Sequence, residues 1–197
     1  LAVVDLETLF AAARETEQIY CRTDSHWSPY GSELAAGAVA SILREQPWYA
    51  AVAPVEIRRS EPEMLTLHGD LAEAGAEGET LVWRRVVRAG NGSSVAEGGG
   101  VLVLGDSHSL VFSSGGDMHA EDGGFVEHLA YALQLPVERI ANRGSASTPP
   151  RISLFRKASA QPEWLEGIRA VVYCFTAREL TESLNGWRVV PVSPRFR

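Results

Sequence analysis

Lysine is almost missing from this 197-residue chain, with Lys157 alone among 18 basic residues. Aspartate and glutamate together number 25, leaving a formal net charge of −7. That balance argues against a general polyanion-binding role, because nucleic-acid binders carry a basic patch or stripe. Cysteine is equally scarce. Cys21 and Cys174 alone supply neither a disulfide framework nor metal-ligand spacing, and they leave the redox compartment open. Long apolar runs are also missing, and nothing approaches the roughly 20 residues needed to span a bilayer. The start carries no leader pattern: Leu1-Ala2-Val3-Val4-Asp5-Leu6 reads as a buried strand, as at the start of a processed or excised domain. What remains is an ordinary globular composition, 45% hydrophobic and 22% charged, long enough for one well-buried core and short for two.

The chain alternates strand-like and helix-like patterns. After the strand at Val3–Leu6, residues Glu7 to Glu17 carry apolar side chains at helical spacing. A second strand is expected at Ile19–Arg22. A helix then starts at Ser28, a suitable N-cap, followed by Pro29 at the first helical position. Leu34, Ala35, Ala38, Val39, Ile42 and Leu43 form its apolar face, and Gln46-Pro47 ends it. Residues 50 to 100 are irregular, with strands expected at Val55–Arg59 and Leu81–Arg88, and read either as a surface insertion or as a substrate cover. Order returns with strand Val101–Leu104, a helix from about Gly124 to Leu135, strand Arg139–Ala141, a helix from about Pro150 to Ser159 and strand Ala170–Phe175. Strands alternating with helices predict βαβ units and an α/β fold with a mainly parallel sheet.

Polar residues gather at the ends of these strands, the edge where open parallel sheets bind ligands. Gly105-Asp106-Ser107-His108-Ser109 follows one strand, and Thr23-Asp24-Ser25-His26-Trp27-Ser28-Pro29-Tyr30-Gly31 follows another. A serine hydroxyl needs a base to take its proton, and the base needs a partner to fix its tautomer. Ser107 is the candidate nucleophile, His26 the base and Asp24 the orienting carboxylate. A spacing of two lets Asp24 and His26 enter one pocket if the segment bends just before the helix. The plainer alternatives are that Asp24 terminates a strand and that Ser107 caps the following helix through its hydroxyl. His68, His119 and His128 show no metal-ligand pattern, so neither metal nor cofactor is expected.

The chain resembles the SGNH (GDSL-type) hydrolases in these motifs. Gly105-Asp106-Ser107 is similar to their first block, Asn142-Arg143-Gly144 to their second, and Asp24-Ser25-His26 with Pro29 and Gly31 to their last. Here the last block comes first, which reads as a circular permutation with the residues ahead of it supplying the final strands. That order, with an Asp-x-His-Trp motif, resembles the alginate O-acetyltransferase (AlgX/AlgJ-like) family. His68-Gly69-Asp70-Leu71 and Val171 to Leu180 are further matches. Two departures stand out. The last strand has Tyr173-Cys174 where the family carries Trp-Glu, and the third-block asparagine of SGNH hydrolases has no counterpart.

The resemblance implies a three-layer αβα sandwich, SGNH-hydrolase-like (flavodoxin-like) and circularly permuted, with residues 1–197 as one catalytic domain and an insertion at about 50–100. It implies an O-acetyltransferase acting on a polysaccharide through a Ser107 acyl-enzyme. The oxyanion would rest on the Ser107 and Gly144 backbone N–H groups, with Asn142 beside them. A membrane-bound acyltransferase would be the acetyl donor, in a periplasmic or extracytoplasmic setting. The alternatives are an esterase using the same triad and a non-catalytic glycan-binding scaffold. Arg143 and Arg178 are candidates to bind substrate, or to pair with Asp106 or Glu179. Trp27 either packs beside His26 or stacks on a sugar.

Overall fold

In the computed structural model, which describes residues 1–90, 92–182, 184 and 186–192, two helices come first: α1 (Leu6–Ala13) and α2 (Pro29–Arg44). Four short strands follow, β1 (Ile57–Arg59), β2 (Glu63–Leu67), β3 (Glu79–Trp83) and β4 (Val86–Arg88). The rest alternates β5 (Val101–Gly105), α3 (Phe125–Leu133), β6 (Val137–Ala141), α4 (Pro149–Ala160), β7 (Ala170–Cys174) and the single turn α5 (Arg178–Thr181). The start of α2 is as the sequence dictates. Ser28 Oγ accepts from Gly31 N at 3.1 Å, and Pro29 sits where a missing N–H costs nothing.

The first 22 residues hold the expected helix, as α1, but neither of the two expected strands. No strand forms at Val3–Leu6, because the Asp5 carboxylate accepts from Thr8 N at 3.0 Å and caps α1. Local capping outweighs a short apolar run whose Leu1 and Val3 stay exposed. Ile19–Arg22 does not join the parallel sheet either. It turns back on the residues that follow it, with Cys21 N donating to His26 O at 3.1 Å and Ser28 N to Ile19 O at 2.7 Å. A single antiparallel bridge, Tyr20 with Trp27, is all the strand character it keeps. The segment ahead of Asp24 therefore supplies no final strands to the sheet.

The parallel sheet has the order β6–β5–β7, with Gly105 opposite both Ala141 and Cys174. All three strands thus end at one level. Every residue of β5 is buried, as expected of a strand covered on both faces. Alternation along it separates two cores: Val101 and Val103 pack with the large cluster that includes α2 and α3, while Leu102 and Leu104 meet Leu154 of α4. This is the three-layer α/β/α arrangement. Ala35, Ala36 and Ala40 on α2, all nearly solvent-free, let α3 approach closely with Leu129 and Leu133.

Residues 50–100 hold two antiparallel ribbons, β1 with β4 and β2 with β3; β2 was not foreseen. They are tied to the helices by charge. Glu33 on α2 bonds Arg59 at 2.9 Å and Arg84 at 3.1 Å, and Arg59 lies over the Tyr131 ring of α3. His128 of α3 sits 3.8 Å from the same carboxylate, yet burial pushes its pKa down to about 4 against the pull of Glu33. It is therefore neutral in the folded state at pH 7. Unfolding restores its ordinary value of 6.5. Between those values the unfolded chain binds the extra proton, so stability falls as pH drops through that window. The full effect is on the order of 3 kcal/mol. His128→Leu is expected to flatten the pH dependence of the urea midpoint between about pH 4 and 6.5; an unchanged slope would refute the assignment.

Candidate active site

The loop from Cys21 to Ser28 carries two of the three candidate groups. Asp24 is buried, and its Oδ1 accepts from His26 N at 2.9 Å in the local turn that aspartate favours. The same oxygen meets His26 Nδ1 at 2.5 Å. A spacing of two thus lets one carboxylate hold both the backbone and the imidazole of the residue two places on. Its other oxygen, Oδ2, lies 2.8 Å from His119 Nε2. Burial alone would raise the Asp24 pKa, but the hydrogen bonds from His119 and His26 outweigh it and hold the carboxyl well below its usual range. Asp24 is a carboxylate with two histidine partners.

Residues between β2 and β3 grip this loop. Glu79, at the start of β3, accepts from Arg22 N at 2.8 Å, from Thr23 N at 3.0 Å and from Gln18 Nε2. Burial pushes Glu79 upward, and these bonds more than reverse it, keeping the group ionised. Asp70 takes Ser25 N at 2.7 Å and Ser25 Oγ at 2.6 Å, and Leu71 N donates to Thr23 O at 3.0 Å. Between them Gly69 lies so close that a Cβ would fall 2.2 Å from Thr23 O and 2.3 Å from the Asp24 Cβ. Only glycine lets the two backbones touch. Residues 67–79 are therefore part of the site's wall rather than a free surface insertion.

Ser107 opens a single 3₁₀ turn at the end of β5 and is 7% exposed. Asp106 caps that turn through His108 N at 2.9 Å, and its second oxygen takes Thr176 N at 3.1 Å, joining the ends of β5 and β7. Burial would raise the Asp106 pKa; the bonds to His108 and Thr176 lower it overall. The His108 and His26 rings lie 4.9 Å apart, and Trp27 Nε1 donates to His108 O at 3.1 Å. The Asp-His loop and the serine turn are thus neighbours at one sheet edge. Among the described residues no hydrogen bond joins Ser107 Oγ to His26. The serine backbone N–H likewise has no internal acceptor, nor has that of Gly144. Asn142 N is held by Gly105 O at 3.1 Å, and its buried Oδ1 has no partner.

Other expected site residues take different places. Trp27 is 3% exposed and packs against Phe10, His108 and Phe125, leaving no ring face for a sugar. Arg143 forms a two-bond ion pair with Asp117, not with Asp106 or Glu179. Glu179 instead accepts from Ala146 N at 3.1 Å and Ser145 Oγ at 3.2 Å, bracing the loop after Gly144. Arg178 is exposed on α5 and makes no ion pair among the described residues. Cys21 and Cys174 are free thiols, each pushed up to about 12 by burial, so neither serves as a thiolate nucleophile. No group of metal-ligating side chains assembles among the described residues.

A parallel α/β sandwich that brings Ser107, His26 and Asp24 to one strand-end edge is an SGNH hydrolase-like domain. The family model described as "SGNH hydrolase-like domain, acetyltransferase AlgX" matches residues 1–166, and the chain belongs to that family. Two solved structures share the fold. The O-acetyltransferase domain of Pseudomonas putida AlgJ superposes with a TM-score of 0.65 at 22% identity, covering 89% of this chain and 59% of that one. Pseudomonas aeruginosa AlgX gives 0.57 at 16% identity, covering 80% of this chain and 35% of that one. The chain thus spans less than two thirds of either. No curated protein matches the sequence.

The contact at Gly69 sets a test. Gly69→Ala is expected to cost about 1–3 kcal/mol in urea unfolding, as overpacking does. It should also shift the low-field His26 Nδ1–H proton resonance, because the strain falls on Asp24. Gly37→Ala, in an open position of α2, should stabilise by roughly 0.5–1 kcal/mol with that resonance unchanged. Equal effects of the two substitutions would contradict the close packing.

Proposed function

We propose that this domain is a serine O-acetyltransferase that moves an acetyl group onto a polysaccharide hydroxyl. The observation that carries the reading is the buried Asp24–His26 pair, 2.5 Å from oxygen to ring nitrogen, at the same edge as Ser107. With Nδ1 committed to the carboxylate, the proton acceptor on His26 is Nε2. In the first half-reaction Ser107 Oγ attacks the acetyl carbonyl while its proton passes to His26 Nε2. The tetrahedral oxyanion rests on the unused N–H groups of Ser107 and Gly144, with the Asn142 side chain beside them. Collapse expels the donor's oxygen, which leaves with the proton from His26. In the second half-reaction His26 takes the proton of a sugar hydroxyl as that oxygen attacks the acetyl-serine, and Ser107 regains its hydrogen.

The serine and the imidazole are not yet hydrogen-bonded, a looseness common before substrate closes a site. Family membership supports acetyl transfer over other acyl chemistry. The donor would be a membrane-bound acyltransferase and the setting extracytoplasmic. Among the described residues no helix is long and apolar enough to cross a membrane.

An activated acetyl ester, with and without a soluble oligosaccharide, tests the proposal by mass spectrometry. Acetylation should localise to Ser107, and Ser107→Ala should reduce turnover at least about 10³-fold. Acetyl-sugar should accumulate as oligosaccharide is raised. Hydrolysis that ignores oligosaccharide would favour an esterase. Absence of Ser107 acetylation in the folded protein would leave a glycan-binding scaffold.

A further inference from the structure

We propose that His119 is a positioning residue for the reaction, acting on His26 through Asp24; this rests on the Ser107–His26–Asp24 reading. The two oxygens of Asp24 are divided between two imidazoles, Oδ1 to His26 Nδ1 and Oδ2 to His119 Nε2 at 2.8 Å. Because Asp24 is ionised and can only accept, His119 Nε2 carries the proton and donates. A carboxylate held at one oxygen can still pivot about its terminal torsion, which is broad for aspartate. Held at both, it cannot turn without breaking a buried bond. His119 therefore fixes the plane in which Oδ1 meets His26.

The backbone at His119 is an independent sign of the same constraint. Its φ is 73° and ψ is −52°, and Ala120 N donates to Met118 O at 2.9 Å across it. That is the rare, strained form of the three-residue γ-turn, which a side chain with a Cβ disfavours. Strain of this kind persists only where the surroundings over-determine it, and it concentrates at working sites. Here the surroundings are explicit. Phe112 N donates to Met118 O at 2.8 Å, Gly115 N donates to Ala120 O at 2.9 Å, and the Phe112 ring lies 5.8 Å from the imidazole. Asp117, two residues earlier, pairs with Arg143 beside Gly144. One loop thus braces the Asp-His pair at one end and the proposed oxyanion turn at the other.

The test separates the hydrogen bond from the ring's bulk. His119→Phe keeps a ring without a donor, while His119→Gln offers an amide N–H near the position of Nε2. Steady-state hydrolysis of an activated acetyl ester should show kcat reduced about tenfold or more in the Phe variant, with KM changed less than about twofold. The Gln variant should retain kcat within about threefold. Proton NMR supplies a readout that does not need turnover: the low-field His26 Nδ1–H resonance should shift or broaden in the Phe variant and persist in the Gln variant. A Phe variant that matches wild type in both kcat and this resonance overturns the proposal. So does a folded Gln variant as impaired as Phe in both. Should Ser107→Ala leave turnover intact, the acyl-enzyme reading fails on its own, and the resonance still decides whether His119 holds the Asp24–His26 pair.

Discussion

A buried charge organises this molecule. Asp24 is ionised, only 5% exposed, and placed where water cannot solvate it. Such a group is tolerated only when its lone pairs are met by donors. The donors here are one backbone N–H and two imidazoles. Each comes from a residue whose position another part of the chain must guarantee. His26 depends on the turn that Cys21 and Ser28 close, and His119 on a strained loop after the serine turn. The tightest demand in the fold is thus electrostatic, and the apolar layers serve to hold the donors around one carboxylate.

That view changes the status of residues 50–100. They place Ile57, Leu67, Leu81, Trp83 and Val86 in the main core. They also contribute a set of carboxylates aimed at backbone N–H groups. Glu79 satisfies Arg22 and Thr23, and Asp70 satisfies Ser25, the residues on either side of Asp24. A loop of this kind has no strand partners to consume its N–H groups, and burying them unpaired would cost about 1–3 kcal/mol each. The ribbon β2–β3 removes that cost and so makes an unpaired loop rigid enough to carry chemistry. The price is acid sensitivity. Glu79 and Asp24 are both held below their ordinary values, so their contribution is present above that range and is lost as pH falls toward the folded values.

Much of the architecture was legible in the residues. The β5, α3, β6, α4 and β7 alternation follows from apolar periodicity, and Ser28-Pro29 marks the start of α2 without ambiguity. The Asp24–His26 contact follows from a spacing of two and a turn. Long-range pairing was less accessible. Val3–Leu6 looked like a strand until Asp5 capped α1, and Ile19–Arg22 has strand composition but folds back on Trp27. The partners of Arg143 and Glu179 are set by loops whose paths have no local code. The sequence favoured packing beside His26 over sugar stacking for Trp27, and its burial agrees with packing. His119 carried no signal at all. Ninety-five residues separate it from Asp24, and nothing in Asp117-Met118-His119-Ala120 marks a turn with positive φ at a histidine.

The loop that holds His119 also explains why a sheet of three parallel strands can suffice. In a wide sheet, many strand ends fix the active edge by register alone. Here β5, β6 and β7 end level, but the groups beyond them need other restraints. Asp106 ties β5 to β7 through Thr176, Gly105 ties β5 to Asn142, and the Asp117–Arg143 pair ties the serine's own loop to the turn after β6. The last of these is exposed and worth little as a surface ion pair. Its value lies in geometry, because it holds the loop of His119 against the turn that carries Gly144. A separate ring of buried contacts runs from the serine turn through His119, Asp24 and His26 and back through the Trp27 indole on His108 O. Breaking the exposed pair leaves that ring in place to hold the Asp-His loop against the serine turn.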